Sequence, residues 1–533
     1  ARAASDSDTP DVMLSGLYGS KKIGAVLGLL ATAAGLAAAE LIVGLVRGSS
    51  SPVVPIGQEF IDWTPKWLKE WAIEQFGTND KVVLVAGALI VVLGLGAVIG
   101  ILMFRGERAT AFALTSAVGI VGAWAVLIRP DPTLGKILPT IVGTAVSLAV
   151  LWRLGPKAEV SEEDGCKVVM GVDRRQFIGG AVTVGSAAAI TGGVGRALQR
   201  RFAVAQDQLA VTETLQNSGD LSAVPNLAPS EFELGVDGIE SFVVPNNNFY
   251  RIDTALVVPQ VQVDSWKLRI DGMVDNPIEL TFDDLLEREQ IERYITLSCV
   301  SNPVGGDLVG NALWRGVRLK DILEEAGVQD GAEQVVSRSV DGWTCGSPLE
   351  TIMDGRDAML AIAMNGEALP AQHGFPVRIV VPGLFGYVSA TKWVTEIRLT
   401  RWDDFDGYWI PRGWSKEGPV KTMARIDTGN KVKKSDGGGA VAIGGVAWAV
   451  HRGISQVQVR FDEGEWLETE IAGVPSNDTW VQWVYRSGDL APGRYAVEAR
   501  AFDGDGVAQP EERAAVAPNG AQGYHRIELT VEA

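Results

Sequence analysis

The stretch Tyr294–Gly306 reads YITLSCVSNPVGG and carries one of only three cysteines in a chain of 533 residues. A run of β-branched and apolar residues leads into Cys299, and Asn302-Pro303 with the glycine pair behind it predicts a turn directly afterwards. The sequence therefore predicts a thiol at the end of a strand. Such a thiol can fill a core, form a disulfide, act as a nucleophile or bind a metal, so its role depends on the rest of the chain.

The composition limits the class of protein. A chain of 533 residues exceeds the size of one hydrophobic core and predicts about three or four units. The formal net charge of −18 disfavours nucleic acid as a partner, because phosphate binding requires a basic surface. Three cysteines are too few for a disulfide framework or for an iron–sulfur cluster held by four thiolates.

Residues 1–200 are predicted to form a membrane region. The run Val82–Phe104 has no charged residue and is long enough to cross about 30 Å of hydrocarbon. Four further apolar runs follow the same pattern, the last more weakly: Ile23–Val46, Ala109–Ile128, Leu134–Trp152 and Phe177–Leu198. Their many glycines and alanines favour close packing of helices. The prediction is an α-helical transmembrane bundle of about five helices in a lipid bilayer.

Basic residues predict the orientation of these helices. Lys21 and Lys22 precede the first span, Arg105 and Arg108 lie in the second turn, and a basic-flanked loop covers residues 153–175. Because short cytoplasmic loops are rich in Lys and Arg, the N-terminus is predicted to be cytoplasmic and the chain after about residue 200 extracytoplasmic. The outer loop over residues 57–77 is predicted to contain an interfacial amphipathic helix, whose apolar face would carry Phe60, Trp63, Trp67, Trp71 and Ile73.

The fifth span follows Asp173–Ala181, DRRQFIGGA, which resembles a twin-arginine export signal: two arginines, one spacer, Phe177 and an apolar stretch. Twin-arginine export carries folded domains, which suits a protein that receives a cofactor before export. The alternative is an ordinary positively charged flank of a membrane helix.

Beyond the membrane region the pattern changes to short strands and helices. It predicts an α+β domain over residues 201–430, with Thr281 as the N-cap of a short helix and Ser347 as the N-cap of another, completed by Glu350 in a capping box. Residues 431–439, KVKKSDGGG, are typical of a linker. Apolar residues that alternate along the chain after it, as in QVQVRF, predict an immunoglobulin-like β-sandwich over residues 440–533.

The residues alone leave several roles for Cys299 open. A nucleophile needs a base, and the chain has three histidines, of which His373 could pair with the thiol. A Cys299–Cys345 disulfide would suit an oxidising compartment. Zinc is a poorer fit, because the scattered cysteines and histidines lack the usual ligand spacing.

Three segments together resemble the sulfite oxidase family of molybdopterin enzymes. They are the run Tyr294–Leu323, the run Met364–Trp393 (MNGEALPAQHGFPVRIVVPGLFGYVSATKW) and the C-terminal β-rich region, in the family's order over roughly residues 240–533. Within that family, Asn246–Asp253 (NNNFYRID) is similar to the catalytic subunits of periplasmic methionine-sulfoxide reductases. The membrane region lies outside the resemblance.

The resemblance implies a molybdenum–molybdopterin cofactor and a role for each matching residue. Cys299 would be the one protein thiolate on molybdenum, beside the two dithiolene sulfurs of the pterin. Asn247 would lie next to the metal, and Tyr408 would correspond to the family's active-site tyrosine. The residues implied to contact the pterin or its phosphate are Tyr250, Arg251, Ser339, His373, Arg378, Gly386, Tyr387 and Lys392, with Gly383 admitting the backbone close to the cofactor.

The implied reaction is two-electron oxygen-atom transfer on a small oxo donor or acceptor, a sulfur compound. Sulfite oxidases carry Cys-Ala-Gly-Asn-Arg-Arg at the ligand, whereas this chain has Cys299-Val300-Ser301-Asn302-Pro303-Val304, so the choice between sulfite and a sulfoxide stays open. The alternative from another class is a cofactor-free membrane scaffold or docking subunit that keeps the fold.

The electrons of such a reaction must be exchanged with a partner. Residues 1–200 contain no histidine to hold a haem, and no glycine-rich dinucleotide fingerprint follows a predicted strand. The sequence therefore predicts no haem, iron–sulfur cluster, flavin or NAD in this chain, and a separate cytochrome or a quinone as partner. Glu40, inside the first span, is predicted either to snorkel to the interface near Arg47 or to protonate a quinone. The resemblance also implies a homodimer through the C-terminal domain.

Overall fold

The computed structural model describes residues 21–65, 68, 71–72, 75–76, 80–129, 133–158, 169–170, 174–199, 203–217, 229–428, 431–433, 441–488 and 490–532. The chain divides into two compact units, residues 1–203 and residues 204–533. The predicted split of the second unit into residues 201–430 and 440–533 stays a prediction.

The first unit is helical. Its long described helices are α1 (Lys21–Leu45), α2 (Val53–Trp63), α3 (Asp80–Phe104), α4 (Arg108–Leu127), α5 (Leu134–Leu154) and α6 (Arg174–Gln199). All except α2 are long and apolar enough to cross a membrane, by length and composition. The existence and order of the five apolar helices is thus confirmed, while their orientation stays a prediction. Strands β1 (Lys157–Ala158) and β2 (Val169–Met170) form a short antiparallel pair after α5.

Helix α1 is the centre of this unit and packs against α3, α5 and α6. Glycines on α1 face glycines on each of the three neighbours, and a Cβ added to any of the α1 glycines would collide with the backbone oxygen of the facing glycine. The facing pairs are Gly24–Gly100, Gly28–Gly96, Gly35–Gly143 and Gly44–Gly195. Small residues at these crossings let the helix backbones touch, as the many glycines of the sequence predict.

The predicted interfacial segment starts within α2, which covers Val53–Trp63, and the described residues 68, 71–72 and 75–76 beyond it are also helical. Phe60, Trp63 and Trp71 are exposed, as an interfacial apolar face requires, while Trp67 and Ile73 lie outside the described residues. The helix is tied to the end of α4 by Arg129, which pairs with Glu59 and, at 3.2 Å, with Asp62.

The twin-arginine-like segment is only partly described. Asp173 lies outside the described residues, and α6 begins directly after it at Arg174, so the export signal stays a prediction.

Glu40 of α1 is bonded to α6. Its carboxylate accepts a hydrogen bond of 2.7 Å from Gln199 Nε2.

The second unit begins with helix α7 (Ala205–Asn217). Two of its sheets precede the C-terminal region in the chain, and the strand that leads to Cys299 belongs to the first of them. One sheet has the order β10 (Glu367–Ala368), β9 (Met359–Met364), β6 (Val309–Arg318) and β5 (Ile291–Ser298), with β11 (Arg378–Val380) also pairing with β9. The other has the order β4 (Ile278–Thr281), β3 (Lys267–Gly272), β12 (Val394–Thr400), β7 (Gln334–Ser339) and β8 (Thr344–Pro348). Only the β3–β12 pair is parallel within these two sheets as described. Short helices lie between the strands: α8 (Phe282–Glu287), α9 (Leu319–Ala326), α10 (Leu349–Met353) and α11 (Gly386–Ser389).

Two more sheets form the C-terminal region. The first has the order β13 (Met423–Ile426), β15 (Ala442–Trp448), β19 (Val481–Arg486) and β18 (Glu470–Ile471). The second has the order β14 (Lys431–Lys433), β21 (His525–Glu532), β20 (Gly493–Asp503), β16 (Ile454–Phe461) and β17 (Leu467–Glu468). One apolar core takes residues from both sheets, including Val457 and Val459 of the predicted alternating strand. The region is β-rich as predicted, and its assignment to the immunoglobulin type stays a prediction.

The predicted linker needs a correction. Residues 431–433 form β14, which pairs in parallel with β21, because the edge of that sheet offers free backbone groups to the passing chain. Residues 434–439 lie outside the described part of the chain.

Two predicted helix starts had different outcomes. Thr281 caps α8 as predicted and forms a reciprocal capping box with Asp284. The capping box at Ser347 is wrong: α10 begins after Pro348, and the Ser347 hydroxyl instead donates a 2.7 Å hydrogen bond to the Val388 carbonyl. A buried acceptor from a distant segment therefore outcompetes the local cap.

Candidate active site

Cys299 lies in the wall of a cleft in the second unit. The cleft has a volume of about 850 Å³ free of protein atoms, and part of it is open to solvent. The thiol directly follows β5, and the Cys299 amide donates to the Leu308 carbonyl, which continues the β5–β6 ladder by one bond. The loop between these strands is closed by Asn302, whose side-chain oxygen accepts from the Leu308 amide. The predicted strand-then-turn geometry thus fixes the thiol at the sheet edge.

The Cys299 side chain is buried and accepts a weak hydrogen bond from the Ser301 amide at 3.4 Å. Burial raises the pKa of the Cys299 thiol, opposed by the Ser301 hydrogen bonds and the charge of Lys392. Because burial disfavours a bare thiolate, a thiolate at this position needs a cationic partner such as a metal.

Arg378 leaves a polar atom without a partner at this cleft. It is buried, donates from Nη1 to the His373 carbonyl at 3.1 Å, and lies over the Trp314 ring, yet its Nε has no hydrogen-bond partner. The hydroxyl of Ser339, at the end of β7, is also buried and lies close enough to the Asp341 carboxylate to stabilise its charge. Burial lowers the pKa of Arg378 to about 10, which leaves it charged at neutral pH. Buried donors are normally satisfied, so the Arg378 Nε points to an absent polar ligand.

A second buried cation lines the cleft. Lys392 Nζ lies 3.2 Å from Asp253 Oδ2 and donates to the Gln372 carbonyl at 3.0 Å. Burial lowers the pKa of Lys392 to about 8, against the opposing effect of Asp253. Asp253 also accepts from Arg251 at 2.8 Å, so its charge is shared between two cations.

Three further predicted residues line the cleft: Tyr250, Gly386 and Tyr387. Burial raises the pKa of Tyr250 above its usual range, so its hydroxyl stays protonated. Burial also raises the pKa of Tyr387 to about 12, and its hydroxyl donates to the Ser415 carbonyl at 2.5 Å. Of the predicted site residues, six therefore meet at this cleft together with Cys299: Tyr250, Ser339, Arg378, Gly386, Tyr387 and Lys392.

Four predicted residues do not line the cleft. Asn247 is exposed, because the neighbouring Asn246 is the residue held inward, by Glu367 and Asn365. The Arg251 side chain is directed to Asp253, and Tyr408 lies beneath the Arg412 guanidinium at 3.7 Å.

His373 is buried behind the cleft wall, where Nε2 donates to the Asn246 carbonyl at 3.0 Å. The cofactor contacts predicted for these four residues stay predictions.

Gly383 is not among the residues that line the cleft. Its φ of +83° favours glycine, and a Cβ there would lie 2.9 Å from Arg356 Nη1 and 3.2 Å from His451 Cβ and the Val450 carbonyl. The missing side chain makes room for these neighbours, and the predicted approach of its backbone to the cofactor stays a prediction.

The other roles for Cys299 gain no support from the described residues. Burial, reinforced by two neighbouring cations, lowers the pKa of His373 to about 3, and its Nε2 is already bound to a carbonyl, so it is poorly suited as a base for the thiol. Cys299 and Cys345 are both free thiols. Among the described residues, no three His, Cys, Asp or Glu side chains gather as a zinc site would require.

Sequence reasoning missed the aromatic and acidic part of the cleft. Trp343, Trp409 and Trp414 line it, with Trp409 and Trp414 edge to face at 6.3 Å. Asp341 lines it too, and burial raises the pKa of its carboxyl group. The turn Asp341-Gly342 and the segment Trp409–Trp414 carried no spacing that linked them to Cys299, because only the packing of distant loops brings them together.

The residues present fit the cofactor that the resemblance implies. The thiol offers one soft metal ligand, Arg378 and Lys392 offer positive charge for a phosphate, and the unpaired Arg378 Nε offers a hydrogen bond to a polar group of the cofactor.

The chain is similar in sequence to known oxidoreductases that bind molybdopterin or oxidise sulfite. The family described as "Oxidoreductase molybdopterin binding domain" matches residues 255–409. The "Uncharacterized oxidoreductase YuiH" of Bacillus subtilis is 35% identical over 180 residues, which are 33% of this chain and 87% of that protein. The mitochondrial sulfite oxidase of Drosophila melanogaster is 30% identical over 324 residues, 51% of this chain and 56% of that enzyme. Sulfite oxidase of Arabidopsis thaliana is 27% identical over 337 residues, 51% of this chain and 84% of that enzyme.

Among solved structures, the sulfane dehydrogenase SoxCD of Paracoccus pantotrophus matches 54% of this chain and 82% of that chain, with 24% identity and a TM-score of 0.48. The chain spans little more than half of the Drosophila enzyme, so the activity of that whole protein does not transfer with the match. The family match covers the strands and loops that carry Cys299, Ser339, Arg378 and Lys392. The chain therefore belongs to the sulfite oxidase family and is a molybdopterin-dependent oxidoreductase.

Proposed function

We propose that this protein is a membrane-anchored, extracytoplasmic molybdenum–molybdopterin oxidoreductase that catalyses two-electron oxygen-atom transfer on a small, uncharged sulfur compound, with a sulfoxide as the preferred class. The observation that carries this proposal is the buried Cys299 thiol in one cleft with two buried cations, one of which, Arg378, has an Nε without a hydrogen-bond partner. This combination suits a metal held by one protein thiolate and an anionic organic cofactor.

In this proposal the residues of the cleft divide the work of holding the cofactor. Cys299 binds the metal, Arg378 and Lys392 neutralise the phosphate, and Ser339 hydrogen-bonds the pterin. When bound, the cofactor supplies a centre that exchanges two electrons and one oxygen atom with the substrate. Asn247, Arg251, His373 and Tyr408 are proposed to assist from the edge of the site, His373 by fixing the Asn246 carbonyl.

We infer the substrate class from the charged side chains of the cleft that the cofactor would leave unused. Arg378 and Lys392 are the cations among the described residues that line the cleft, and both are assigned to the cofactor. The charge of Asp253 is balanced by Lys392 and Arg251, Asp341 adds a further carboxyl group, and three tryptophans add apolar surface: Trp343, Trp409 and Trp414. Like-charge repulsion would disfavour an anion such as sulfite, whereas a neutral sulfoxide with an apolar group can pack on the indole rings.

The location is proposed from the first unit. Five helices are long and apolar enough to span a membrane, and the basic loops and the twin-arginine-like segment favour a cytoplasmic N-terminus and export of the second unit. Electrons would be exchanged with a separate cytochrome or with a quinone. The C-terminal sheets are proposed as an immunoglobulin-like domain that forms a homodimer.

The proposal is tested on full-length protein purified in detergent. Molybdenum and pterin are quantified, and turnover is assayed with methyl phenyl sulfoxide plus an artificial electron donor and with sulfite plus an artificial acceptor. We expect stoichiometric molybdenum and faster turnover of the sulfoxide. Protein that folds but carries neither molybdenum nor pterin would support the alternative of a cofactor-free scaffold, and faster turnover of sulfite would overturn the substrate class.

A further inference from the structure

The helical unit contains a second cavity, lined by α1 to α5, with about 770 Å³ free of protein atoms, part of it open to the surroundings. Its described lining consists of glycine, alanine, proline, valine, leucine and isoleucine together with the hydroxyl residues Thr32, Thr115, Thr140, Thr144 and Ser147. No ionisable side chain belongs to that described lining. The cavity therefore suits a ligand that is largely apolar and uncharged.

Three of the five hydroxyls in this wall are bonded to carbonyl groups, and the buried hydroxyl of Thr140 is not. Thr115 donates to the Ala111 carbonyl at 2.9 Å, Thr144 to the Thr140 carbonyl at 2.8 Å, and Ser147 to the Ala31 carbonyl at 3.0 Å. Thr140 is only 5% exposed, and its Oγ1 has no hydrogen-bond partner. A threonine in a helix usually returns its hydroxyl to a carbonyl of the preceding turn, as Thr115 and Thr144 do here.

An unsatisfied buried hydroxyl calls for a partner. Thr140 stands opposite Gly122 of α4, where a Cβ would come within 3.0 Å of Thr140 Cγ2, so no side chain of α4 fills the space beside it. Leaving a buried polar group unpaired costs free energy, and native interiors avoid it unless a water or a ligand supplies the missing bond. A water needs two or more polar partners, which this mostly apolar wall offers poorly.

The chemistry of the ligand follows from these observations. It must dissolve in a bilayer to reach a cavity among helices of membrane-spanning character, and it must bring an oxygen acceptor for the Thr140 hydroxyl. A charged lipid headgroup would find no ionic partner in the described lining, and a plain alkyl chain would leave the hydroxyl unpaired. A quinone ring has the required apolar body and carbonyl oxygen.

We infer that this cavity is a binding site for a lipid-soluble quinone, with the Thr140 hydroxyl donating to a quinone carbonyl. The inference rests on the proposed function. Reduction of a sulfoxide to a sulfide and water consumes two electrons and two protons, and a quinol that is oxidised to the quinone supplies both. The inference adds the chemical class of the electron partner and the residue that recognises it.

The test uses the full-length protein in lipid nanodiscs and compares two probes. Menadione carries the naphthoquinone ring, and 2-methylnaphthalene has the same ring and methyl group without the carbonyl oxygens. Equilibrium binding is measured for the wild type, for Thr140→Val, which removes the hydroxyl at nearly constant shape, and for Thr115→Val. Thr115 is the matched control, because it lines the same cavity but its hydroxyl is bonded within its own helix.

We expect menadione to bind more tightly than 2-methylnaphthalene to the wild type. Thr140→Val should weaken menadione binding about fivefold, the effect of one net hydrogen bond, and leave 2-methylnaphthalene unchanged. Thr115→Val should change neither probe. Equal menadione affinity in the wild type and Thr140→Val, or equal binding of both probes to the wild type, would overturn the site.

Molybdenum content and mediator-driven sulfoxide reduction are measured on the same preparations. Thr140→Val should retain both, so a failure of the quinone site appears as unchanged menadione binding in an active enzyme. A failure of the proposed function appears instead as absent molybdenum, whatever the binding of the quinone.

Discussion

Lys392 Nζ lies 3.2 Å from Asp253 Oδ2, and both side chains are almost fully buried in the wall of the Cys299 cleft. The pair lets a lysine remain charged at neutral pH in a site whose burial lowers its pKa to about 8. A buried positive charge is thus present in the cleft, where we propose that the phosphate of the cofactor binds.

Asp253→Asn should destabilise the second unit strongly. It leaves the Lys392 ammonium buried beside a neutral amide, and loss of one member of a buried ion pair costs about 3 kcal/mol. Thermal unfolding of the detergent-solubilised protein should shift down by roughly 4 °C. Glu279→Gln, which breaks the largely exposed pair with Lys267, is the control and should shift the transition little. Equal shifts in the two variants would contradict the role given to Asp253.

Arg378→Lys should lose cofactor while the chain still folds. Lysine keeps the positive charge but not the guanidinium Nε–H that now lacks a partner. Loss of a charge-assisted hydrogen bond should weaken cofactor retention on the order of tenfold, measured as molybdenum per protein after dialysis. Arg293→Lys, at a half-buried pair with Asp357 outside the cleft, should retain molybdenum. Full molybdenum in Arg378→Lys would remove this arginine from the cofactor site.

The C-terminal sheets should lose stability in acid through His525. Its Nδ1 accepts a 2.9 Å hydrogen bond from the Ile426 amide, which requires a neutral ring. Burial lowers the folded-state pKa of His525, against the attraction of Asp427 and together with the charges of Arg425 and Arg513.

The unfolded chain therefore takes up this proton first as the pH falls. The contribution of His525 is complete above the ordinary histidine value of 6.5 and declines as the pH drops below it. His525→Asn keeps an acceptor for Ile426 but cannot titrate, so its free energy of unfolding should fall less than that of the wild type between pH 7 and pH 5.

His451→Asn is the control for this experiment. His451 is exposed, pairs with Asp478, and has a φ of +75° that asparagine also adopts readily. The variant should keep the wild-type dependence on pH. If His525→Asn and His451→Asn respond alike, the buried ring does not set the acid sensitivity.

Export of the second unit should depend on the arginine pair before the fifth apolar helix. In the double variant Arg174→Lys and Arg175→Lys, a reporter fused after residue 533 should become cytoplasmic, because lysine preserves charge but not the twin-arginine signal. A reporter fused at residue 165 should be cytoplasmic in both proteins. Normal export of the double variant would reduce the pair to a charged flank.

The sequence predicted those features that depend on local pattern. Uncharged apolar runs sufficed for the five long helices, and the alternation through Val457 and Val459 for β16, because each is a property of consecutive residues. Cys299 was predicted at a strand end, and β5 does end at Ser298.

The rest depends on contacts between distant segments. Ser347 bonds Val388 instead of capping a helix, and the linker begins with a strand because β21 offers an edge. Trp343, Trp409 and Asp341 reach the cleft only through the packing of loops, and Asn247 turns outward because Asn246 is anchored. The spacing of residues in the sequence does not show which of several possible hydrogen-bond partners a side chain will contact in the folded chain.

The central claim is that Cys299 binds molybdenum, and X-ray absorption at the molybdenum edge tests it most directly. Spectra are compared for the wild type, Cys299→Ser and Cys345→Ser, whose thiol is also buried but contacts Ser337 and Thr391. We predict that the metal in Cys299→Ser has one sulfur neighbour fewer than in the wild type, and that Cys345→Ser is unchanged. A full sulfur shell in Cys299→Ser would contradict the account.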